Sequence, residues 1–336
     1  MQLKIGIAGS EGKIGKIRKN ILSSIPDVKL VDVCDTKLKN KSDFSNLLKN
    51  DLDAVFICTP HKFIAPMTID ALEHGLHVFA EKPPGTTLRE TQEIKKALKK
   101  NSDLKLQFGF NHRYHLSVVH TAMIVNNRSL GRVLWLRGIY GKSMLENWRS
   151  DSGIAKYGIL LGQGIHMLDL FNLLTGNRKW TDVKAVIGPS YFGYDKNLEE
   201  NVFAIMKNEA GQTASIHSSA NLWKHTFNLT IGFTKGMIEI DGLLTTSRTF
   251  GFVEREKIYY SNVLEDNYIA KRGNPPMITY YHDIDRSWEL EIKSFINSIK
   301  NNTRVIWGNI DDALRVMSLI DRIYRDGEHA GYRFLK

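Results

Sequence analysis

The chain has 336 residues, 42% hydrophobic and 24% charged, with 46 Lys and Arg against 36 Asp and Glu for a net charge of +10. These values fit a globular protein of roughly two domains and exclude a collagen, a disulfide scaffold and a disordered tail. No run approaches the ~18 apolar residues of a membrane-spanning helix, the N-terminus does not read as a secretory leader, and Cys34 and Cys58 sit in apolar runs, so a reduced, cytoplasmic protein is expected.

The positive charge is spread along the chain, with 19 basic against 13 acidic residues in 1–120 and 27 against 23 beyond. Its densest cluster, Lys95, Lys96, Lys99 and Lys100, closes a predicted helix and complements the helix dipole there. No nucleic-acid or membrane partner is expected. A small anionic substrate suits a diffuse positive balance better.

The first third alternates strand and helix. Leu3–Ala8, Leu30–Cys34, Ala54–Cys58, His77–Ala80 and Lys105–Gly109 are short apolar runs of the kind that buried parallel strands show. Helical stretches at Ile14–Leu22, Phe63–His74 and Leu88–Lys100 lie between them. The alternation predicts a doubly wound parallel sheet over residues 1–120. Beyond it, helices are expected at Leu116–Asn126 and Ile165–Leu174 and strands at 133–140, 183–187, 202–207, 213–219, 227–233 and 237–241. The strands follow one another without long helices, which predicts an α+β domain over 121–336 with a large, mainly antiparallel open sheet. Pro275-Pro276 marks a loop, and helices at 288–300 and 310–324 close the chain.

The segment Gly9-Ser10-Glu11-Gly12-Lys13-Ile14-Gly15 follows the first strand and opens the first helix. Glycines there admit close approach of a dinucleotide pyrophosphate, and helix N-terminal amides carry partial positive charge. The spacing G-x-x-G-x-x-G is one residue longer than the usual fingerprint. Asp35 ends the second strand 20 residues past Gly15, where a carboxylate accepts hydrogen bonds from ribose hydroxyls and repels a 2′-phosphate. NAD is therefore expected as cofactor, NADP less so. The alternative is a tight turn with a surface Asp.

The segments Asp53–Pro60, Ala71–Pro83 (with Glu81-Lys82-Pro83), Gly109–Arg113 and Gly164–Asp169 resemble the Gfo/Idh/MocA oxidoreductases, the glucose–fructose oxidoreductase and inositol dehydrogenase family. The resemblance runs nearly end to end. It implies a Rossmann domain followed by an α/β domain for substrate binding and oligomerisation, and NAD(P)-dependent oxidation or reduction of CH–OH groups in sugars and polyols. It also implies a homo-oligomer, dimer or tetramer, formed through the open sheet.

By that resemblance Gly9, Ser10, Gly12, Lys13, Ile14, Gly15, Asp35, Thr59, Pro60, Glu81, Lys82 and Asn111 hold the cofactor. Lys82 and His166 are the expected acid/base pair, since oxidising an alcohol also releases a proton. Lys82, Arg113, Trp148, Arg149, Gln163 and His166 are the expected substrate contacts. Arg113 and Arg149 would hold an anionic group, and Trp148 would stack on a sugar ring. The alternatives are an interdomain salt bridge for Arg113, core packing for Trp148 and a solvated Arg149. Two positions depart from the family pattern: Gly162 stands where an Asp usually precedes the His, and Ile64 stands where Thr-Pro-x-x-x-His has its His. Zinc spacing, a P-loop and a nucleophile elbow are not found. The substrate expected is a sugar of the nucleotide-linked or acidic class, serving cell-surface polysaccharide assembly. The other reading is a protein that binds NAD or a sugar nucleotide without turnover.

Overall fold

A computed structural model describes residues 2–39, 43–142, 151–188, 190, 198–245, 253–260 and 275–329. In chain order the first elements are β1 Leu3–Ala8, α1 Lys13–Ser23, β2 Val28–Cys34, α2 Phe44–Leu48, β3 Ala54–Ile57, α3 His61–Glu73, β4 His77–Glu81, α4 Leu88–Lys100 and β5 Leu106–Gly109. A 3₁₀ turn at Asn111–Tyr114, α5 Leu116–Asn127, β6 Val133–Gly141, α6 Ser152–Ala155, a π-helical turn at Leu160–Gly164 and α7 Ile165–Leu174 follow. The chain continues with β7 Trp180–Gly188, β8 Asn201–Asn208, β9 Thr213–Ser219, β10 Thr226–Phe233, β11 Gly236–Asp241, β12 Glu254–Tyr260, β13 Met277–His282, α8 Ser287–Lys300 and α9 Ile310–His329.

These elements form two compact units, which are not consecutive blocks of chain. The first holds Met1–Asn111, Asp151–Lys156 and Ser287–Ser318; the second holds His112–Ser150, Tyr157–Arg286 and Leu319–Lys336. The expected division at residue 120 differs from this in two ways: the units change at Asn111/His112, and two later segments return to the first.

In the first unit the strands are parallel in the order β2-β1-β3-β4-β5. Every residue of β3 and β5 is buried, as strands covered on both faces must be. Phe56 and Phe79 stack at 4.7 Å, and Phe295 of α8 meets both edge-on at 5.7 and 5.6 Å. Around them pack Ile5, Ile7, Leu22, Val28, Ile292 and Ile296. Each such side chain contributes about 1.5–3 kcal/mol on burial, which is why α8, late in sequence, belongs to this unit. Helix α4 starts at Thr87, whose hydroxyl accepts from the Glu90 amide, and ends on Lys99 and Lys100. Lys95 and Lys96 pair with Asp311 and Glu93. Cys34 and Cys58 are free thiols; burial pushes both up, Cys34 to about 11.

In the second unit the sheet order is β13-β12-β11-β10-β6-β9-β8-β7. All neighbours are antiparallel except β6 and β9, so the sheet is mainly antiparallel as expected. Alternation along β8 buries Val202, Ala204 and Met206 on one face and leaves Phe203 and Ile205 on the other. The buried face of the sheet receives α7, which is buried along nearly its whole length. Gly138 of β6 lies under it: a Cβ there would meet Met167 Cγ at 2.5 Å. No helix among the described residues is long and apolar enough to cross a membrane.

Candidate functional site

In the first unit the chain leaves β1, visits β2 on one side, then crosses to β3 on the other. Open α/β sheets bind ligands at such a reversal, beyond the carboxyl ends of the strands. The glycine segment lies there. Gly9 has φ +78°, and a Cβ on it would sit 2.6 Å from the Cys58 carbonyl oxygen at the end of β3. A Cβ on Gly15 would lie 2.0 Å from the Gly9 carbonyl oxygen. Gly9 and Gly15 are thus required by the loop itself. Gly12 differs: its Cβ would only touch Gly9 O at 3.5 Å, so the fold leaves room there. Gly12 is the N-cap of α1, and neither a side-chain cap nor an acidic residue covers the first turn at Lys13, Ile14 and Gly15. Ser10 is fully buried, with its hydroxyl donating to Glu11.

Asp35 follows β2 directly and is half-buried. Its two carboxylate oxygens accept from the Glu11 and Lys37 amides, each at 2.9 Å. The acid therefore ties the second strand's end to the glycine loop, and each oxygen retains a lone pair. Thr59 and Pro60 follow β3; Pro60 is the N-cap of α3, and Thr59 Oγ1 lies 3.5 Å from Met67 Sδ. Ile64, at the expected family histidine position, is fully buried core.

Glu81 ends β4, but its side chain turns inward. It pairs with Arg18 at 2.8 Å, and Arg18 pairs with Glu291 at 2.6 Å. Arg18 is fully buried between the rings of Phe79 and Trp288, each 4.5 Å from its guanidinium carbon. Burial works against its charge, but Glu81 and Glu291 outweigh that and hold it cationic. Glu81, expected to border the cofactor, has its carboxylate engaged by Arg18. Lys82, next in the chain, is half-buried. Asn111 Nδ2 donates to Ser287 at 3.3 Å, and Asn111 is buried.

In the second unit Arg113 and Asp169 form a bidentate pair at 2.6–2.7 Å, each side chain 1% exposed. This corrects the expectation that Arg113 receives a substrate anion. Both partners belong to the second unit. Trp148 and Arg149 lie outside the described residues. Tyr157, in the approach to α7, stacks on Tyr324 at 4.6 Å. Glu199 accepts from the Gly158 amide at 2.7 Å, the Leu160 amide at 2.9 Å and the Tyr324 hydroxyl at 2.9 Å. That anchors the π-helical turn carrying Gly162 and Gln163 at the start of the His166 helix.

His166 and Gln163 do come together. His166 is buried at the start of α7, stacked on His112 at 3.8 Å with planes 11° apart. His112 Nε2 lies 2.8 Å from the Tyr140 hydroxyl, and the Gln163 side chain bonds the same hydroxyl. By resemblance the Asn111–Arg113 segment was expected to line the substrate cleft, but His112 was not placed against His166, and Tyr140 was not singled out.

The likeness to known proteins covers both units. Residues 3–110 match the oxidoreductase family with an NAD-binding Rossmann fold, and residues 118–239 match the GFO/IDH/MocA C-terminal domain. Among curated relatives, the chain is 27% identical over 280 residues to an uncharacterized oxidoreductase, YrbE of Bacillus subtilis, covering 77% of this chain and 80% of that protein. It is 29% identical to D-glucoside 3-dehydrogenase of Escherichia coli over 188 residues, 50% of this chain and 52% of that enzyme. A solved levoglucosan dehydrogenase complex with NADH superposes with a TM-score of 0.83 over 98% of each chain at 19% identity, a likeness of fold. A parallel sheet with a glycine cradle at its reversal, an open antiparallel sheet carrying the histidine helix, and matches to both halves converge on one assignment: the chain belongs to the Gfo/Idh/MocA family of oxidoreductases.

Proposed function

We propose that this oxidoreductase is an NAD-dependent dehydrogenase or reductase acting on a hydroxyl-bearing carbon of a sugar. The observation that carries the reading is the cradle at the β1/β3 reversal. Gly9 and Gly15 admit no side chain there, the start of α1 is uncapped, and Asp35 stands at the rim. Gly9, Ser10, Gly12, Lys13, Ile14 and Gly15 would hold the pyrophosphate, with Asp35 on the adenosine ribose. Thr59, Pro60, Lys82 and Asn111 would line the rest. The preference for NAD over NADP rests on the Asp35 carboxylate.

When bound, NAD supplies hydride acceptance from the carbinol carbon. The chain's own residues handle the accompanying proton. Lys82 takes it from the hydroxyl in oxidation and returns it in reduction; in the second unit, His166 is the proposed proton-handling imidazole. Gln163 Oε1 makes no hydrogen bond among the described residues, which suits an acceptor for a substrate hydroxyl.

The names of similar proteins include a glucoside and levoglucosan as well as glucose 6-phosphate and UDP-N-acetylglucosamine; of these we favour an uncharged glycoside or aldose, because Arg113 is engaged by Asp169. The nucleotide-linked or acidic sugar of cell-surface polysaccharide assembly remains a further proposal. With Arg113 engaged by Asp169, its support is the diffuse +10 charge. Exposed Trp135, Val186, Phe203 and Ile205 on the open sheet support a homodimer or homotetramer, checked by sedimentation. Gly162 favours a second reading, a binder without turnover. Absorbance at 340 nm with NAD and levoglucosan, methyl β-D-glucopyranoside or UDP-N-acetylglucosamine decides between them. Growth of the signal with one sugar supports the enzyme; tight NAD binding with no growth supports the binder.

A further inference from the structure

Position 162, one turn before His166, is glycine and offers no side chain to the imidazole. What covers that ring is another ring. His112 lies parallel to it at 3.8 Å, comes from a different element, and is equally buried. His112 is fixed at its edge by the Tyr140 hydroxyl, 2.8 Å from Nε2. The Gln163 side chain bonds the same hydroxyl, and Gln163 Oε1 has no hydrogen-bond partner among the described residues. A hydroxyl oxygen that accepts the Gln163 amide N–H keeps its own hydrogen to donate, and His112 Nε2 lies within reach of it at 2.8 Å. Burial pushes the Tyr140 hydroxyl well above its ordinary value, so it stays a donor. Phe227 packs edge-on against both Tyr140 and His112, at 5.3 and 6.0 Å, and closes this side of the cluster.

Such an arrangement has a chemical consequence. A ring that accepts at Nε2 is neutral, with its proton on Nδ1. Two imidazolium rings at this separation would repel each other, whereas a neutral aromatic face accepts a cation above it. Two polar neighbours are engaged by carboxylates: His115, edge-on to His112 at 5.6 Å, bonds Glu254, and Arg113 bonds Asp169.

We propose that Tyr140 and His112 are positioning residues for His166: the Tyr140 hydroxyl locks His112 in its neutral Nδ1–H tautomer, and the face of that ring orients His166 and accommodates its protonation. The inference rests on His166 handling a proton.

The test uses full-length protein labelled with ¹⁵N-histidine, read by long-range ¹H–¹⁵N spectra at pH 7.5, beside turnover of NAD with the three sugars named above. His112 should show the Nδ1–H tautomer, and Tyr140→Phe should erase that preference. Tyr140→Phe should lower kcat about 10-fold, the effect of one hydrogen bond, with KM little changed. His112→Phe, which keeps an aromatic face, should retain more activity than His112→Leu. Circular dichroism checks that each variant folds. An Nε2–H tautomer at His112 in the unmodified protein overturns the proposal whatever the turnover. Unchanged kcat in Tyr140→Phe and His112→Leu, with activity lost in His166→Asn, overturns it and leaves the role of His166 standing. Full activity in His166→Asn overturns that role, and the proposal with it.

Discussion

Arg18 and Glu81 form a buried ion pair at 2.8 Å, and Glu81 is the residue immediately before Lys82. The pair thereby fastens the start of the Glu-Lys-Pro segment to α1, the helix that begins at the glycine loop. Glu291 completes the charge balance from α8. Removing one member of such a buried set leaves an uncompensated charge and costs about 3–5 kcal/mol. Arg18→Ala should therefore lower the unfolding free energy obtained from urea denaturation by an amount of that size. Arg18→Lys should restore little of it, because an ammonium cannot reproduce the fork toward two carboxylates or the packing between two rings. A midpoint unchanged in Arg18→Ala would show that the set contributes nothing.

Asp35 has two roles that a substitution separates. Its side chain accepts two backbone amides, and in the proposed NAD complex its remaining lone pairs would face the ribose. Asp35→Ala should narrow the preference for NAD(H) over NADP(H) by roughly 1.5–3 kcal/mol, the range for a hydrogen bond to a charged group. Isothermal titration with both cofactors measures this. A wild-type preference for NADP(H) contradicts the assignment.

Gly15 and Gly12 should respond differently to a side chain. A Cβ at Gly15 collides with the Gly9 carbonyl at 2.0 Å, while one at Gly12 only touches it at 3.5 Å. Gly15→Ala should lower thermal stability along with cofactor affinity. Gly12→Val should leave the melting temperature nearly unchanged and still weaken NAD binding. Equal affinity in Gly12→Val and wild type would mean that Gly12 serves the turn alone.

Glu254 sets an acid limit on stability. Burial opposes its ionisation, but hydrogen bonding and charge from His115, with Ser117 and the Leu244 amide, outweigh it and lower its pKa. A carboxyl with a lowered folded-state pKa contributes stability above its unfolded value, and that stability is lost as pH falls through the folded value. Glu254→Gln should thus reduce stability at pH 7 and flatten the acid limb below about pH 4. Parallel acid limbs in the two proteins would contradict this.

The same residue shows why part of the fold was hidden in the sequence. The parallel strands were legible because strands covered on both faces read as apolar runs, as Ala54–Ile57 does. Strand β12 is not legible in Glu-Arg-Glu-Lys-Ile-Tyr-Tyr, because its inward positions are Glu254, Glu256 and Ile258. The two glutamates are buried against His115, the N-cap of α5, and against Ser117 and His120 of that helix, so charge stands where an apolar alternation would be sought. The edge strand β13, largely exposed, likewise lacks the alternation. Helix α8 was legible as a helix, but its membership of the first unit depends on Phe295 reaching Phe56 and Phe79. Of the site, the glycine cradle, Asp35 and His166 were readable from motif and spacing. The inward turn of Glu81 and the pairing of Arg113 were not, because each partner, Arg18 and Asp169, lies more than 50 residues away in sequence.

The most direct measurement is single-turnover hydride transfer, followed at 340 nm with an active sugar, in wild type and Lys82→Ala, with NAD affinity measured in parallel. Loss of the proton acceptor should slow transfer by at least about 10²-fold, the lower end for an acid/base group. NAD affinity should fall far less, because Asp35 and the glycine cradle are untouched. Hydride transfer at the wild-type rate in Lys82→Ala would remove lysine from the chemistry and contradict the account.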